Sequence, residues 1–329
     1  MVGRRGFIAG AGCVAVCAAA AEKGAKAHGA KKRKPRIPIM PPGAQDRQHF
    51  LSHCIACGLC ISRCPHQALS ASGLEYGLRG MQFPRLDFAK GFCDWDCHSC
   101  TKICPTGALE ALSHGIKRRV KVGDAKWKRH HCVVITDGVS CGLCAKNCPT
   151  QAIAMKKDES GREVPAIDAE KCIGCGTCEY FCAAKPKAIF VQGIAKHEFL
   201  FGAETFVAEL RNRRMWSSAE RGIRPLLAAI GNGVDLSGAV CHDRIVGRAA
   251  AFLFVKAKVC EVRSPVMSRG AFELLKKFGV VVRADSVVDG IRNRAGTGSC
   301  PMEQAVAAIP DDDIERAYRT LVDAAAPRQ

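Results

Sequence analysis

Hydrophobic and polar positions along the chain form four successive patterns. Two arginines precede an uncharged apolar stretch over 6–21, and a segment rich in Lys, Arg, Pro and Gly follows without core-forming periodicity. Short apolar pairs then recur between clustered cysteines, and beyond them longer apolar stretches alternate with polar ones. For a chain of 329 residues, we therefore predict a leader over 1–28, a linker over 29–48, a cysteine-rich unit over 49–195 and a last domain over 196–329.

The last domain has a pattern of alternating helices and strands. Ser217 and Glu220 have capping-box spacing beside the apolar segment RPLLAAIG, and Gly231 can end the helix that this spacing predicts. HDRIVGRAAAFLFVKA is apolar over several turns, and SRGAFELLKKFG has the pattern of a further capped helix. The segments VCEVRSPV and VVVRA are typical of strands. We therefore predict an α/β layer domain.

Sixteen of the 21 cysteines lie in four tight runs within the cysteine-rich unit. The first and fourth runs keep the C-x2-C-x2-C-x3-C spacing of bacterial ferredoxins, and the other two lengthen only the first interval. Clustering of this kind indicates metal ligation and not a disulfide scaffold. The candidate metal ligands are, run by run, Cys54, Cys57, Cys60, Cys64; Cys93, Cys97, Cys100, Cys104; Cys132, Cys141, Cys144, Cys148; and Cys172, Cys175, Cys178, Cys182.

The spacing within a run suits an iron-sulfide cube. A short loop with small residues such as Gly58 and Gly174 can wrap three thiolates around three corners of the cube. We expect the fourth cysteine to begin a helix, with a proline after it in three runs, so that its thiolate points toward a partner cluster. The predicted cofactors are four 4Fe-4S clusters. Zinc is disfavoured, because a zinc ribbon needs two C-x2-C pairs per ion and has no use for a trailing Cys-Pro.

A helical turn that ends in an apolar pair follows each fourth cysteine, in HQAL, TGAL, TQAI and KPKAI. These repeats predict four half-modules, each with a loop, a short helix and a strand such as AIFVQGI over 188–194. The cysteine-rich unit is therefore expected to be a small ferredoxin-like α+β fold built around the clusters.

The formal charge of the chain is +18. Four clusters with their thiolates would each add about −2, which leaves an excess of roughly +10. Such an excess favours acidic redox partners or peripheral contact with anionic membrane surfaces. Nucleic acid is disfavoured as a partner, because the chain has only six Trp and Tyr residues and no aromatic-studded basic motif.

The amino terminus has the pattern of an export signal. Arg-Arg-Gly-Phe-Ile over 4–8 resembles the twin-arginine consensus, whose export route accepts proteins that are already folded around their cofactors. The apolar stretch of about 15 residues is shorter than the roughly 20 that span a bilayer. We therefore predict a twin-arginine-type signal segment over 1–28 and a periplasmic location. Retention of the leader as a membrane anchor is the alternative.

Residues 50–195 resemble the exported four-cluster ferredoxin subunits of quinol-dehydrogenase modules, as found with periplasmic nitrate reductase and methylamine oxidation systems. The order of the four runs, the leader and the segments CPTGAL and CIGCGTCEYFC carry this resemblance. It implies that the outer two runs exchange their fourth cysteines, as do the inner two. Cys182 would then complete the cluster of the first run, Cys64 that of the fourth, Cys148 that of the second and Cys104 that of the third.

Residues 205–325 resemble a family of unknown function whose members have a cytidine-deaminase-like fold, through RGIRPLL, CHDRIVGRAAAFLFV and NRAGTGSCPMEQAV. Deaminase chemistry needs an H-x-E and a P-C-x-x-C signature, and this chain has neither. We therefore expect a ligand-binding or docking role and no deaminase activity, with candidate pocket residues Asp243, Arg244, Arg294, Cys300 and Glu303. The alternative is that these side chains only hold loops together.

The sequence contains no Gly-rich nucleotide fingerprint and no flavin motif, and His98 and His114 are expected to be solvated or structural. A chain of clusters without a catalytic centre is an electron carrier. We predict single-electron transfer between a membrane-bound quinol dehydrogenase or polyferredoxin subunit and a periplasmic redox partner. The alternatives are a redox-sensing or ligand-binding protein and a cluster-regulated enzyme that uses the last domain.

Overall fold

The structure is a computed structural model that describes residues 37–212, 214–293 and 295–326. The predicted leader and the first part of the predicted linker lie outside these ranges. The cysteine-rich half contains short helices and strands in the order α1 (Arg47–His53), α2 (Leu59–Ser62), β1 (Leu69–Ala71), β2 (Pro84–Leu86), α3 (Ser99–Ile103), α4 (His114–Lys117), β3 (Val120–Trp127), α5 (Val133–Thr136), α6 (Leu143–Lys146), β4 (Ile153–Lys157), β5 (Glu163–Ile167), α7 (Thr177–Tyr180) and β6 (Ile189–Phe199).

The predicted one-turn helix and strand are present in three of the four runs. The helical turn predicted after the fourth cysteine is wrong, because HQAL, TGAL, TQAI and KPKAI contain turns, bends and irregular backbone instead. In the first, third and fourth runs, a helix of one turn contains the third cysteine, and β1, β4 or β6 follows it. No strand directly follows the second run, where residues 105–113 are turns and irregular backbone. The strands pair antiparallel as β1 with β2, β4 with β5, and β3 with β6.

Two further expectations for the cysteine-rich half were wrong. The fourth cysteine of a run does not begin a helix: Cys64, Cys104 and Cys148 follow the end of one, because the chain must turn there to enter the next segment. The described part of the predicted linker is packed, with Met40 and Ala44 buried and the Ile39 carbonyl accepting a hydrogen bond from the Leu86 amide at 2.8 Å. Its apolar residues are buried even though they follow no helical or strand period.

The last part of the chain is a mixed α/β domain, as predicted. Its elements are β7 (Phe206–Glu209), β8 (Met215–Ser218), α8 (Arg224–Gly231), β9 (Val240–Asp243), β10 (Ile245–Val246), α9 (Arg248–Lys256), β11 (Glu261–Ser268), α10 (Arg269–Lys277), β12 (Val281–Val288), α11 (Pro301–Ala305) and α12 (Ile314–Ala325). The strand order is β8-β7-β9-β11-β12, and β10 also pairs with β11. β7 is antiparallel to both its neighbours, whereas β9, β11 and β12 are parallel.

The predicted capping box in this domain is wrong. Ser217 lies in β8 and pairs with Val207, and the helix begins only at Arg224 with a proline in its first turn. Gly231 is the last residue of that helix, as predicted, and Asn232 caps it. Pairing with β7 therefore overrides the local capping signal in this segment.

The sheet of the last domain is covered on both faces, as is usual for parallel strands. Buried side chains of α9, α10 and α12, including Phe252, Leu274 and Leu321, pack in its apolar core. The other face holds a row of polar residues, because His242 is in register with Arg263 and Arg263 with Arg283. This polar face meets the cysteine-rich half. Among the described helices, none has the length and apolar content needed to cross a membrane.

Candidate functional site

The sixteen cysteines of the four runs converge in four groups. Each group combines the first three cysteines of one run with the fourth cysteine of its neighbour in sequence, around small apolar cavities or in a shared buried cluster. We number the groups by the run that supplies three members: group 1 is Cys54, Cys57, Cys60 and Cys104; group 2 is Cys93, Cys97, Cys100 and Cys64; group 3 is Cys132, Cys141, Cys144 and Cys182; group 4 is Cys172, Cys175, Cys178 and Cys148.

The exchange of fourth cysteines differs from the expected one. Cys104 joins the first run and Cys182 the third, so neighbouring runs exchange, and the outer and inner pairing is wrong. The helices explain the difference, since α2 packs against α3 and α6 against α7. Pairing runs that are close in sequence also closes shorter loops than joining the first run to the fourth.

Backbone amides point at the sulfurs of three fourth cysteines. The amides of Leu109, Ala152 and Ala188 donate to the Sγ atoms of Cys104, Cys148 and Cys182 at 3.4, 3.3 and 3.4 Å. Burial raises the pKa of Cys104, but hydrogen bonds from Leu109 and neighbouring groups outweigh it and bring the pKa below its ordinary value. Amide donors of this kind stabilise the thiolate form that an iron-sulfur cluster requires.

Several buried thiols of the groups have a raised pKa and so resist ionisation in the absence of a positive charge. Burial, followed by repulsion from neighbouring cysteines, raises the pKa of Cys60 to about 12. Burial likewise raises the pKa of Cys144 and of Cys175 to about 11. Iron ions would supply the positive charge that these crowded thiolates need, because a coordinating thiol is deprotonated by its metal.

The groups suit a cubane better than a single metal ion. Within the described ranges, no set of three or more His, Cys, Asp and Glu side chains could hold one metal ion. A 4Fe-4S cluster needs only one thiolate at each of its four iron corners. Four thiols around one apolar cavity, with amides directed at the sulfurs, therefore fit this cofactor.

Groups 2 and 4 are in direct contact with each other. The amide of Cys93 donates to the carbonyl of Cys175 at 2.9 Å. The Phe92 ring lies 5.6 Å from Tyr180 and 5.8 Å from Phe181, measured between ring centroids. Group 1 lies beside group 2 because α2 packs against α3, and group 3 lies beside group 4 because α6 packs against α7. The four groups thus follow one another in space in the order 1, 2, 4, 3.

The outer groups 1 and 3 lie next to exposed apolar residues. Cys57 of group 1 is itself exposed, and Ile55 and Leu59 beside it are 65% and 42% exposed. Near group 3, Val139 and Leu143 are 49% and 39% exposed. Both ends of the series therefore reach the protein surface.

A buried lysine beside group 2 was not predicted from the sequence. Lys117 is 2% exposed, and its Nζ donates to the carbonyls of Asp94 at 3.0 Å and Trp95 at 3.3 Å. Its charge lies close enough to favour the thiolate of Cys93. Nothing in the sequence distinguishes it, because Lys117 is one of many basic residues in the chain.

The two histidines singled out in this half lie together. The rings of His98 and His114 meet edge to face at 3.9 Å between centroids, and His98 is buried. His114 is exposed and its Nδ1 lies 3.0 Å from an Asp96 carboxylate oxygen. This arrangement agrees with a structural role.

Among the described candidate pocket residues of the last domain, three have clear structural positions. Asp243 is buried at the end of β9, and Arg244 extends over the surface to the Gly202 carbonyl at 2.7 Å. Glu303 caps α9, with its carboxylate accepting from the amides of Arg248 at 3.0 Å and Ala249 at 2.9 Å.

The other two candidates add no pocket. Cys300 precedes α11 as its cap residue. Arg294 lies outside the described residues. These contacts agree with the alternative that such side chains hold loops and helix ends together.

Comparison with known proteins identifies both halves of the chain. The profile of the 4Fe-4S dicluster domain matches residues 53–108 and 139–185, and that of a domain of unknown function (DUF1893) matches residues 169–324. A crystal structure of a DUF1893 family protein from Thermotoga maritima is 25% identical and has a TM-score of 0.34, covering 36% of this chain and 80% of that one.

Curated relatives match the cysteine-rich half. The methylamine utilization ferredoxin-type protein MauM of Methylobacillus flagellatus is 35% identical over 164 residues, which cover 46% of this chain and 67% of MauM. MauM of Paracoccus denitrificans is 35% identical over 166 residues, covering 46% and 70%. The ferredoxin-type protein NapG of Escherichia coli is 29% identical over 182 residues, covering 50% and 78%. The chain therefore belongs to the family of ferredoxin-type 4Fe-4S proteins, transfers electrons through iron-sulfur clusters, and has a DUF1893 domain at its carboxyl end.

Proposed function

We propose that the chain carries four 4Fe-4S clusters, one in each cysteine group, and that single electrons pass along them in the order 1, 2, 4, 3. When bound, each cluster supplies one-electron redox chemistry. The observation that supports the route is the backbone hydrogen bond from Cys93 to Cys175, which joins groups 2 and 4. The contacts of Phe92 with Tyr180 and Phe181 support the same connection between the two-cluster halves.

The chain's own residues hold and tune the clusters. Amides such as that of Leu109 stabilise sulfur ligands, while buried side chains such as Phe50 and Ile189 exclude water from the groups. The positive charge of Lys117 lies beside group 2 and favours its reduced state. These features support a protein that passes electrons between four cluster sites and converts no substrate.

The two exposed ends of the cluster series, at groups 1 and 3, are the proposed partner sites. Cys57 with Ile55 and Leu59 forms one exposed end, and Val139 with Leu143 forms the other. By resemblance to the subunits of quinol-dehydrogenase modules, one end accepts electrons from a membrane quinol-oxidising partner and the other delivers them to a periplasmic acceptor. The twin-arginine-type signal over 1–28 and the basic linker support export and membrane contact.

For the last domain we propose a cytidine-deaminase-like fold over 196–329 that does not deaminate. An edge hairpin, one strand antiparallel to the rest and three parallel strands with intervening helices support this fold. The chain has no H-x-E signature, and Glu303 occupies the amino end of α9. A docking or ligand-binding role for this domain is therefore the better proposal.

Metal analysis of anaerobically purified full-length protein tests the cofactor content. Four cubanes require about sixteen iron with matching sulfide per chain and no zinc. Half that iron, or stoichiometric zinc, would contradict the proposal.

Electron paramagnetic resonance of the reduced protein tests the order. Cys97→Ser, which removes a ligand of group 2, should abolish the magnetic interaction of the group 1 cluster and preserve that between groups 3 and 4. Preserved coupling at group 1 would mean that it has a different neighbour.

A further inference from the structure

A cleft of about 320 Å³ lies where the polar face of the DUF1893 sheet meets the ferredoxin domain. The ferredoxin side contributes Glu110, Leu112 and Phe199, and the sheet contributes His242 and Arg263. None of the cysteines lines this cleft. It is therefore separate from the cluster sites, and its volume lies at the lower end of the range for small-molecule pockets.

Two histidines face the cleft without hydrogen-bond partners. His242 is 4% exposed, its buried Nε2 has no partner, and its ring stacks on Phe199 at 3.9 Å between centroids. Both ring nitrogens of His197, which also lines the cleft, are buried and unpartnered. A buried polar group without a partner destabilises the folded state, so an apolar ring at position 242 would stabilise the fold better than histidine does. The choice of histidine therefore points to a ligand.

The basic residues of the cleft, Lys196, Arg263 and Arg283, are already paired with carboxylates. Arg263 donates to Glu110, at 3.1 Å for one of two hydrogen bonds, and its Nε donates to Glu261 at 2.8 Å. Arg283 also donates to Glu261, at 2.6 Å. Lys196 forms an ion pair with Asp285. These pairs leave little positive charge for an anionic ligand.

Burial and the nearby arginines lower the pKa of His242 to about 3, so its imidazole is neutral at physiological pH. Burial also lowers the pKa of His197, to about 4. Two neutral imidazoles therefore remain for a ligand: His197 can donate one hydrogen bond and accept another, and His242 can donate or accept one through Nε2.

Apolar side chains form much of the remaining wall, beside the polar residues Gln45, Asp46, Glu198 and Ser264. Leu112 and Ile116 of the ferredoxin domain are buried, and Val120, Phe201 and Pro265 also line the cleft. We propose that this cleft binds a small neutral molecule with an apolar body of one or two rings and a hydroxyl or carbonyl that hydrogen-bonds to His242 Nε2. Binding at this site requires none of the cysteine groups.

Calorimetric titration of the full-length cluster-containing protein with 2-naphthol tests the proposal. Saturable binding should be at least tenfold tighter for 2-naphthol than for 2-naphthoate, which has the same rings and a negative charge. His242→Phe keeps the ring stack and removes Nε2, and it should weaken 2-naphthol binding at least tenfold. His130→Phe makes the same change at an exposed histidine outside the cleft, and it should bind 2-naphthol like the wild type.

The unfolding temperature separates this role from a structural one. His242→Phe should unfold at the same or a higher temperature than the wild type while it loses binding. If this variant does not fold, Pro265→Trp fills the cleft from an exposed position and should abolish binding. The proposal is refuted by wild-type protein that does not bind 2-naphthol, by preference for 2-naphthoate, or by unchanged affinity in both variants.

Discussion

The buried carboxyl of Asp243 makes the stability of the DUF1893 domain depend on pH. Asp243 is 6% exposed at the end of β9, and its Oδ1 accepts a hydrogen bond from the Ile245 amide at 3.2 Å. Burial, only partly offset by backbone amides, raises its pKa from 3.8 to about 7. Asp243→Asn keeps the size and the acceptor but cannot ionise, so it should relieve the cost of a buried negative charge.

The size of the gain follows from the shift in pKa. The pKa of Asp243 is higher in the folded state than in the unfolded state. Its contribution to the free energy of unfolding is therefore fully present below about pH 4 and is lost as pH rises to about 7. At 1.36 kcal/mol per unit, Asp243→Asn should stabilise the domain by roughly 4 kcal/mol at pH 8 and by roughly 1.5 kcal/mol at pH 5.

The neighbouring His242 titrates in the opposite sense. The pKa of His242 is lowered to about 3, so its contribution to stability is present above its unfolded pKa and is lost as pH falls. His242 faces Arg263 and Arg119, and it is present both in the wild type and in Asp243→Asn. The difference between variant and wild type at each pH therefore isolates Asp243.

Hydrogen exchange read by mass spectrometry gives the assay, with peptides that cover β9 and β11 in the full-length protein at pH 5 and pH 8. The exchange rates of Asp243→Asn relative to wild type should fall by up to about 1,000-fold at pH 8 and about tenfold at pH 5. Asp235→Asn, at an exposed carboxyl in the same domain, should show no such slowing. A gain of equal size at both pH values, or faster exchange in the variant, would refute the reasoning.

Three other substitutions test the cluster groups and the interface. Cys182→Ser should eliminate the group 3 cluster and spare the group 1 cluster. Cys260→Ser, which changes a cysteine outside the groups, should keep the full iron content. Loss of the group 1 signal in electron paramagnetic resonance of Cys182→Ser would contradict the grouping. Lys117→Met should lower the potential of the group 2 cluster by on the order of 50–100 mV, and an unchanged potential in a redox titration would contradict its electrostatic role. Glu110→Gln leaves the half-buried Arg263 with one carboxylate fewer and should destabilise the protein by about 1–3 kcal/mol. An unchanged midpoint in urea unfolding would argue against this ion pair.

The cysteine runs and half-modules could be predicted because they are local. A loop that wraps one cluster corner after another needs cysteines at fixed short intervals, and a one-turn helix and a strand follow within a few residues. Which fourth cysteine completes which group depends instead on how α2 packs on α3 and α6 on α7. Because all four runs have the same chemistry, the cysteine spacing does not distinguish these pairings, and only the shorter loops between neighbouring runs favour the observed one.

The errors outside the runs have a common physical cause. Ser217 and Glu220 have the local spacing of a helix start, but pairing of β8 with β7 gives this segment a strand partner. Residues 37–48 lack any period, and yet Met40 is buried because the chain passes over the ferredoxin core. Tertiary packing outweighs a local preference of a few tenths to about 1 kcal/mol in both segments.

The polar row across the DUF1893 sheet shows what a strand pattern leaves open. VCEVRSPV is typical of a strand, but its pattern does not say what covers its polar positions, and Arg263 pairs with Glu110 of the ferredoxin domain. The residue before Glu110 is Leu109, whose amide donates to Cys104 of group 1. The DUF1893 domain therefore contacts the segment that holds group 1, at one end of the cluster series. A ligand in the cleft would act on the backbone beside the group 1 cluster.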